Sequence, residues 1–305
     1  MLQQKFNEEP PPGYEYKEED QIYANKKEHC HEVLSDMGLE KHKTQVVFVL
    51  DISGSMDAEI KAGHIDSFVK KIALLAGELD DDQRLQIFSF GTTVSDVVLE
   101  LNLQNPHEVM NFSVREDILN KINPAEVAQI RDGTNYAPVL NEIMKRYYPE
   151  TKQSPLKKIH RDASKGVFVI FLTDGDCHDK KASSEAVIQS SYCGGLFIKF
   201  VGIDIAKEQN KKGFRFLEGL DDMAVSSGCG RFFNASTRYI DNVDFLKCKP
   251  SEVENLPYEE LLREYVPFLS QSAQKNLLRN PGLTEDAQYA SIRDQGRTTE
   301  KCVIL

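Results

Sequence analysis

The sequence has no tryptophan, no CxxC pair, no GxxxxGK[ST] loop and no apolar run of membrane length. Each absence removes a class. Six cysteines, at 30, 177, 193, 229, 248 and 302, lie far apart, which suits neither a zinc knuckle nor a dense disulfide framework, so reduced thiols are expected. The longest apolar stretch, Gly166 to Thr173 (GVFVIFLT), is less than half of the roughly 20 residues of a spanning helix. The first residues, MLQQKFNEEPPP, hold neither a basic nor an apolar leader region, and no Sec-type signal peptide is expected. Without a phosphate-cradling loop, nucleotide hydrolysis of the small-GTPase kind is excluded. Positive charge is also short. Lys and Arg total 37 against 48 Asp and Glu, for a net charge of −11, so no nucleic-acid partner is expected.

What is present fits one large α/β domain with extensions, since 305 residues and 40% hydrophobic content exceed one average domain of about 150 residues. Residues 1–43 read as a flexible arm. The segment 1–25 carries Pro10-Pro11-Pro12-Gly13 and is strongly acidic, a composition that buries little apolar surface, and Asn25 to Gly38 adds a short helix. Gln45 to Leu50 is a continuous apolar strand, Asp57 to Leu79 an amphipathic helix, and Arg84–Phe90 with Val94–Leu101 a hairpin. A helix from Pro138 to Tyr148, a strand from Val167 to Leu172, a helix from Lys180 to Ser190 and a strand from Leu196 to Ile203 follow. A last strand is expected near Arg231–Phe233, then a helical stretch from Glu252 to about Asn280, kinked at Pro257 and Pro267. Alternating strands and helices predict a doubly wound, mostly parallel central sheet with helices on both faces. The domain is expected over 44–280 and a flexible tail over 281–305.

The acidic and hydroxyl residues cluster at strand ends. The first strand runs into Asp51-Ile52-Ser53-Gly54-Ser55, and the strand GVFVIFLT ends in Asp174-Gly175-Asp176. Between them the loop Arg131-Asp132-Gly133-Thr134-Asn135 offers a further hydroxyl. In a doubly wound sheet the first two fall at the carboxyl ends of strands, where ligands bind, while the third opens the helix that starts near Pro138. Hydroxyls and few carboxylates suit a hard divalent cation such as Mg²⁺. Taken alone, Asp51 to Ser55 also reads as a helix N-cap.

In this order, Asp51-x-Ser53-x-Ser55, Thr134 and Asp174-Gly175 resemble the metal-ion-dependent adhesion site of von Willebrand factor A domains. The run Gly133 to Leu140, with Phe214-Arg215-Phe216-Leu217-Glu218 and Leu220-Asp221-Asp222, is similar to A domains of the bacterial tellurium-resistance type. The resemblance spans about 44–280. It implies that Ser53, Ser55 and Thr134 ligate Mg²⁺, or Mn²⁺ or Ca²⁺, directly, that Asp51 and Asp174 act largely through bound water, and that an acidic residue of a protein partner completes the shell. Asp132 stands where the family commonly has glycine, and Asp176-Cys177 replaces a commoner acidic-proline pair. His29-Cys30-His31 is not read as a metal site, nor Cys177-His178 as a catalytic dyad, because neighbouring side chains diverge.

The last residues, Cys302-Val303-Ile304-Leu305, match a prenylation box whose terminal leucine favours geranylgeranyl. A prenyltransferase and a membrane are therefore expected partners, with residence on a cytoplasmic membrane face after lipidation and in the cytosol before it. One lipid anchors weakly without a second signal. The segment 150–166 holds Lys152, Lys157, Lys158, Arg161 and Lys165, either as that second signal or as a solvated loop. A bacterial-type domain with a eukaryotic lipid box points to an effector delivered into a host cell or to a protist protein. The expected activity is cation-dependent protein binding without catalysis. A Mg²⁺-dependent phosphohydrolase using Asp51, Asp174 and Asp176 is the alternative, and a metal-free scaffold a third.

Overall fold

The computed structural model describes residues 18–149, 166–175, 177–205, 214–225 and 237–274. Strands form where apolar runs are shortest and richest in β-branched and aromatic residues. These are β1 (Thr44–Asp51), β2 (Arg84–Phe90), β3 (Val94–Asn102), β4 (Gly166–Thr173), β5 (Leu196–Ile203) and β6 (Val243–Cys248). They make one sheet in the order β3-β2-β1-β4-β5-β6. Only the β2–β3 hairpin is antiparallel; β1 pairs in parallel with both β2 and β4. The fold is therefore the doubly wound α/β arrangement expected from the sequence. Chain order reverses between β1 and β4, and at such a switch point the loops leaving the two strands part and open a crevice.

Alternation along the central strands divides the core in two. Val46, Phe48 and Leu50 of β1, with Phe168, Ile170 and Leu172 of β4, face one layer of helices. Val47, Val49, Val169 and Phe171 face the other. The first layer contains α1 (Glu18–Asp36), α3 (His64–Leu79), α9 (Tyr258–Leu262) and α10 (Tyr265–Gln274). The second contains α6 (Ala137–Tyr147), α7 (Lys180–Ser190) and α8 (Arg215–Asp221). Each fully buried Val, Leu or Phe contributes about 1.5–3 kcal/mol, and β1 and β4 are buried along nearly their whole length. These two strands are the rigid frame from which the site hangs.

Several elements differ from the sequence reading. Helix α1 begins at Glu18, within the segment read as flexible, because Tyr23, Cys30, Val33 and Leu34 bury a stripe against the core. The helix expected over 57–79 is two, α2 (Asp57–Ala62) and α3, parted at Gly63 with φ +78°, a left-handed conformation that glycine adopts without steric cost. Short helices α4 (Pro106–Met110) and α5 (Pro124–Ile130) fill the connection after β3. The final helical stretch is a 3₁₀ turn (Pro250–Asn255), α9 and α10. Pro257 ends the turn because the residue before a proline is held extended, as Leu256 is. The strand expected at 231–233 lies outside the described residues; the sixth strand is Val243–Cys248, whose Asp244 and Lys247 hide it from a hydropathy reading. Cys30, Cys177, Cys193 and Cys248 are buried and form no disulfide. Among the described residues no helix is long and apolar enough to cross a membrane.

Candidate metal centre

The site lies where β1 and β4 end side by side. Their register pairs Leu50 with Leu172, so the next residues, Asp51 and Thr173, emerge together. Asp51 is completely buried. Its carboxylate accepts a hydrogen bond from Ser53 N at 2.9 Å and one from Thr173 Oγ1 at 2.8 Å. Behind it the buried Tyr136 hydroxyl donates to Gly175 O and lies 3.2 Å from Thr173 Oγ1. The Tyr136 ring packs edge-on against Phe90 and Phe171. The floor of the site is thus largely aromatic, with the Tyr136 hydroxyl and the strand-end groups as its polar part.

Two carboxylates share this edge, Asp51 completely buried and Asp174 partly so. Burial, and then the negative charge of Asp174, pushes the Asp51 carboxyl up to about 7, against the lowering effect of its bonds from Ser53 and Thr173. Burial likewise raises Asp174, against a hydrogen bond from Ser55. Among the described residues no cationic side chain pairs with either carboxylate, and an ion between the two would reverse both shifts. Ser53 Oγ and Ser55 Oγ lie 3.0 Å apart. Adjacent oxygens of an octahedron with metal–oxygen bonds of about 2.1 Å are separated by about 3 Å, so this spacing and the all-oxygen donor set fit a small hard cation.

Thr134 lies on an irregular segment held from three sides. Gly54 N donates to Arg131 O at 3.3 Å, Asn135 N to Gly91 O at 2.7 Å, and His178 N to Thr134 O at 2.9 Å. Arg131 also pairs with Asp57 at the start of α2. On the far side, Asp179 accepts from Tyr136 N and Ala137 N at 3.0 Å each and so caps α6. Hydrogen bonds thus link Asp51 to Ser53, Ser53 to Ser55 and Ser55 to Asp174 at one edge, and the segment that carries Thr134 is tied to it through Gly54 N and Arg131 O. Asp176, Cys302, Lys152, Lys157, Lys158, Arg161 and Lys165 lie outside the described residues. No group of three or more His, Cys, Asp or Glu side chains converges among the described residues; hydroxyls distinguish this edge from a zinc-type cluster.

The sequence reading missed the residues that hold this edge together. Thr173 carried a signal, as the one hydroxyl residue in GVFVIFLT. Tyr136, Asp179 and His178 carried none, because their partners are 37 to 44 positions away.

This fold, with paired carboxylates and hydroxyls at its switch point, defines a von Willebrand factor A-type domain. Residues 43–278 match the family described as vWA-TerF-like, the vWA domain found in the TerF C terminus, and the chain belongs to that family. Such domains often bind metal and commonly mediate protein–protein interactions. An uncharacterized protein of Bacillus subtilis (strain 168), YcbR, is 26% identical over 253 residues, covering 81% of this chain and 86% of that protein. Among solved structures, proximal thread matrix protein 1 from the mussel byssus matches 71% of this chain at 14% identity and a TM-score of 0.42. The match spans 46% of that chain, less than half its length. Manganese-loaded Plasmodium vivax TRAP protein matches 74% of each chain at 14% identity and a TM-score of 0.39. The SpRpn10 VWA domain matches 70% of this chain and 93% of its own at 10% identity and a TM-score of 0.37.

Proposed function

We propose that the domain is a divalent-cation-dependent protein-binding module. Ser53, Ser55 and Thr134 hold Mg²⁺, or Mn²⁺ or Ca²⁺, directly, Asp51 and Asp174 act largely through bound water, and a carboxylate from a partner protein completes the shell. The observation that carries this reading is the pair Asp51 and Asp174, two carboxylates at one strand edge with Asp51 completely buried, beside the Ser53 and Ser55 hydroxyls 3.0 Å apart. Neutral hydroxyl ligands leave much of the cation's charge unquenched, and an anionic oxygen from outside is then bound strongly. Calorimetric titration with Mn²⁺, beside partner capture with and without EDTA, tests it. Binding and capture are expected to disappear in Asp51→Ala and in Ser53→Ala combined with Thr134→Ala. Cation-dependent phosphate-ester turnover abolished by Asp51→Ala overturns the reading in favour of the phosphohydrolase.

The reading extends to a tether. Geranylgeranylation at Cys302, with Lys152, Lys157, Lys158, Arg161 and Lys165 as a second, electrostatic signal, holds the domain on the cytoplasmic face of a membrane of a host or parent cell. Five cationic side chains near an anionic surface contribute about 1 kcal/mol each. Prenylated protein is expected to lose affinity for anionic vesicles on Lys157→Glu and Lys158→Glu. Equal affinity sinks the electrostatic half of the tether.

A further inference from the structure

We propose that His178 is a positioning residue that holds Thr134, and with it the Thr134 hydroxyl, in place for the cation. The inference rests on the metal-site reading above. Cys177 and His178 leave the Asp174 strand end together, and the backbone sends their side chains apart. Cys177 turns inward, with Sγ 3.7 Å from Ser183 Oγ. His178 stays exposed and lies over Gly133 and Thr134.

Three contacts fix it there. His178 N donates to Thr134 O at 2.9 Å. In return Thr134 N donates to His178 Nδ1 at 3.4 Å, which requires the neutral ring with its proton on Nε2. The third contact is steric. A Cβ on residue 133 would lie 2.9 Å from His178 Nδ1 and 3.1 Å from Cε1, so the ring can lie this close only because Gly133 has no side chain. Both backbone groups of Thr134 are thereby bonded to one residue of the neighbouring loop.

This matters because Thr134 sits in neither helix nor strand. Its position is set by cross-links alone. Asn135 is tied to the β2–β3 turn through Gly91 O at 2.7 Å and Thr92 O at 2.9 Å, and His178 supplies the tie on the opposite side. A neutral hydroxyl is a weak ligand whose contribution depends on being held at the bonding distance.

The test measures Mn²⁺ affinity of the full chain by calorimetry, with thermal unfolding of the metal-free protein as the check on folding. His178 is exposed, so its variants are expected to unfold at the wild-type temperature. His178→Ala is expected to weaken Mn²⁺ binding by about tenfold or more. His178→Asn, whose Oδ1 takes the acceptor place of Nδ1, is expected to restore most of that loss, and Gly133→Ala to weaken binding by displacing the ring. If Asp51→Ala and Ser53→Ala leave Mn²⁺ binding intact, the metal-site reading itself fails. If those variants abolish binding while His178→Ala binds as tightly as wild type, or His178→Asn is no better than His178→Ala, the positioning role is overturned and the metal site stands.

Discussion

Thr173 Oγ1 donates a 2.8 Å hydrogen bond to Asp51 Oδ2, joining the last residues of two neighbouring parallel strands that lie 122 positions apart in the chain. Both residues are completely buried. The bond does two things at once: it ties the ends of β1 and β4 together and it turns one carboxylate oxygen of Asp51 toward the protein. Thr173→Val keeps the shape and removes the donor. Leaving a buried carboxylate oxygen unsatisfied costs about 1–3 kcal/mol, and that loss is expected in urea unfolding of the metal-free protein. A midpoint unchanged from wild type shows that the bond carries no stability.

Asp51 itself is an unfavourable residue in the absence of a cation. Its carboxyl is raised to about 7 first by burial and then by Asp174, so near neutral pH its ionisation works against the fold. Asp51→Asn keeps an acceptor for Ser53 N and removes the charge. The metal-free variant is expected to melt at or above the wild-type temperature, and the rise in melting temperature that Mn²⁺ gives wild type is expected to vanish. A variant that melts well below wild type in EDTA contradicts this account.

Asp80 makes a pH-dependent contribution at the other end of β1. Its Oδ2 accepts from Gln45 Nε2 at 2.6 Å and Val46 N at 3.2 Å. Burial, with Asp82 and Asp81 repelling, nevertheless pushes its carboxyl up to about 7. The native state then holds a proton that the unfolded state has released above about pH 4. Stability therefore falls as pH rises from about 4 to about 7 and levels off beyond. Urea midpoints in EDTA are expected to be higher at pH 5.5 than at pH 8, and Asp80→Asn is expected to shrink the difference. A flat profile in wild type counts against it.

Lys199 on β5 and Asp244 on β6 face each other in register and form an ion pair with the lysine almost wholly buried. Removing one partner strands the other. Lys199→Met is expected to cost about 3–5 kcal/mol, and the double change Lys199→Met with Asp244→Leu to recover most of it, since a packed apolar pair replaces a buried ion pair at little cost. Chemical denaturation of the three proteins measures the coupling; a double variant as unstable as the single one shows that the charges do more than neutralise each other.

Most of the sheet was legible in the sequence. Gln45 to Leu50, Arg84 to Phe90, Val94 to Leu101, Val167 to Leu172 and Leu196 to Ile203 each carry an apolar or alternating pattern, and each is a strand. β6 was not legible, because Asp244 and Lys247 break the pattern. Asp244 is tolerated there only because Lys199 sits opposite. Arg238 was equally invisible: a buried guanidinium that donates to Asp221 O, Met223 O and Val243 O, it staples the turn after α8 to the start of β6.

The sequence by itself determined which residues stand at the ends of the two central strands, since a buried strand must break into polar residues where it leaves the core. Asp51, Ser53, Ser55, Thr134 and Asp174 could be named from that rule and a family resemblance. Only the tertiary structure decided what holds them: Thr173 on Asp51, Asp179 on α6, His178 on Thr134. Those bonds form between segments brought together by burying β1 and β4 in one sheet, and hydrogen bonds across such distances in the chain leave no periodicity to read.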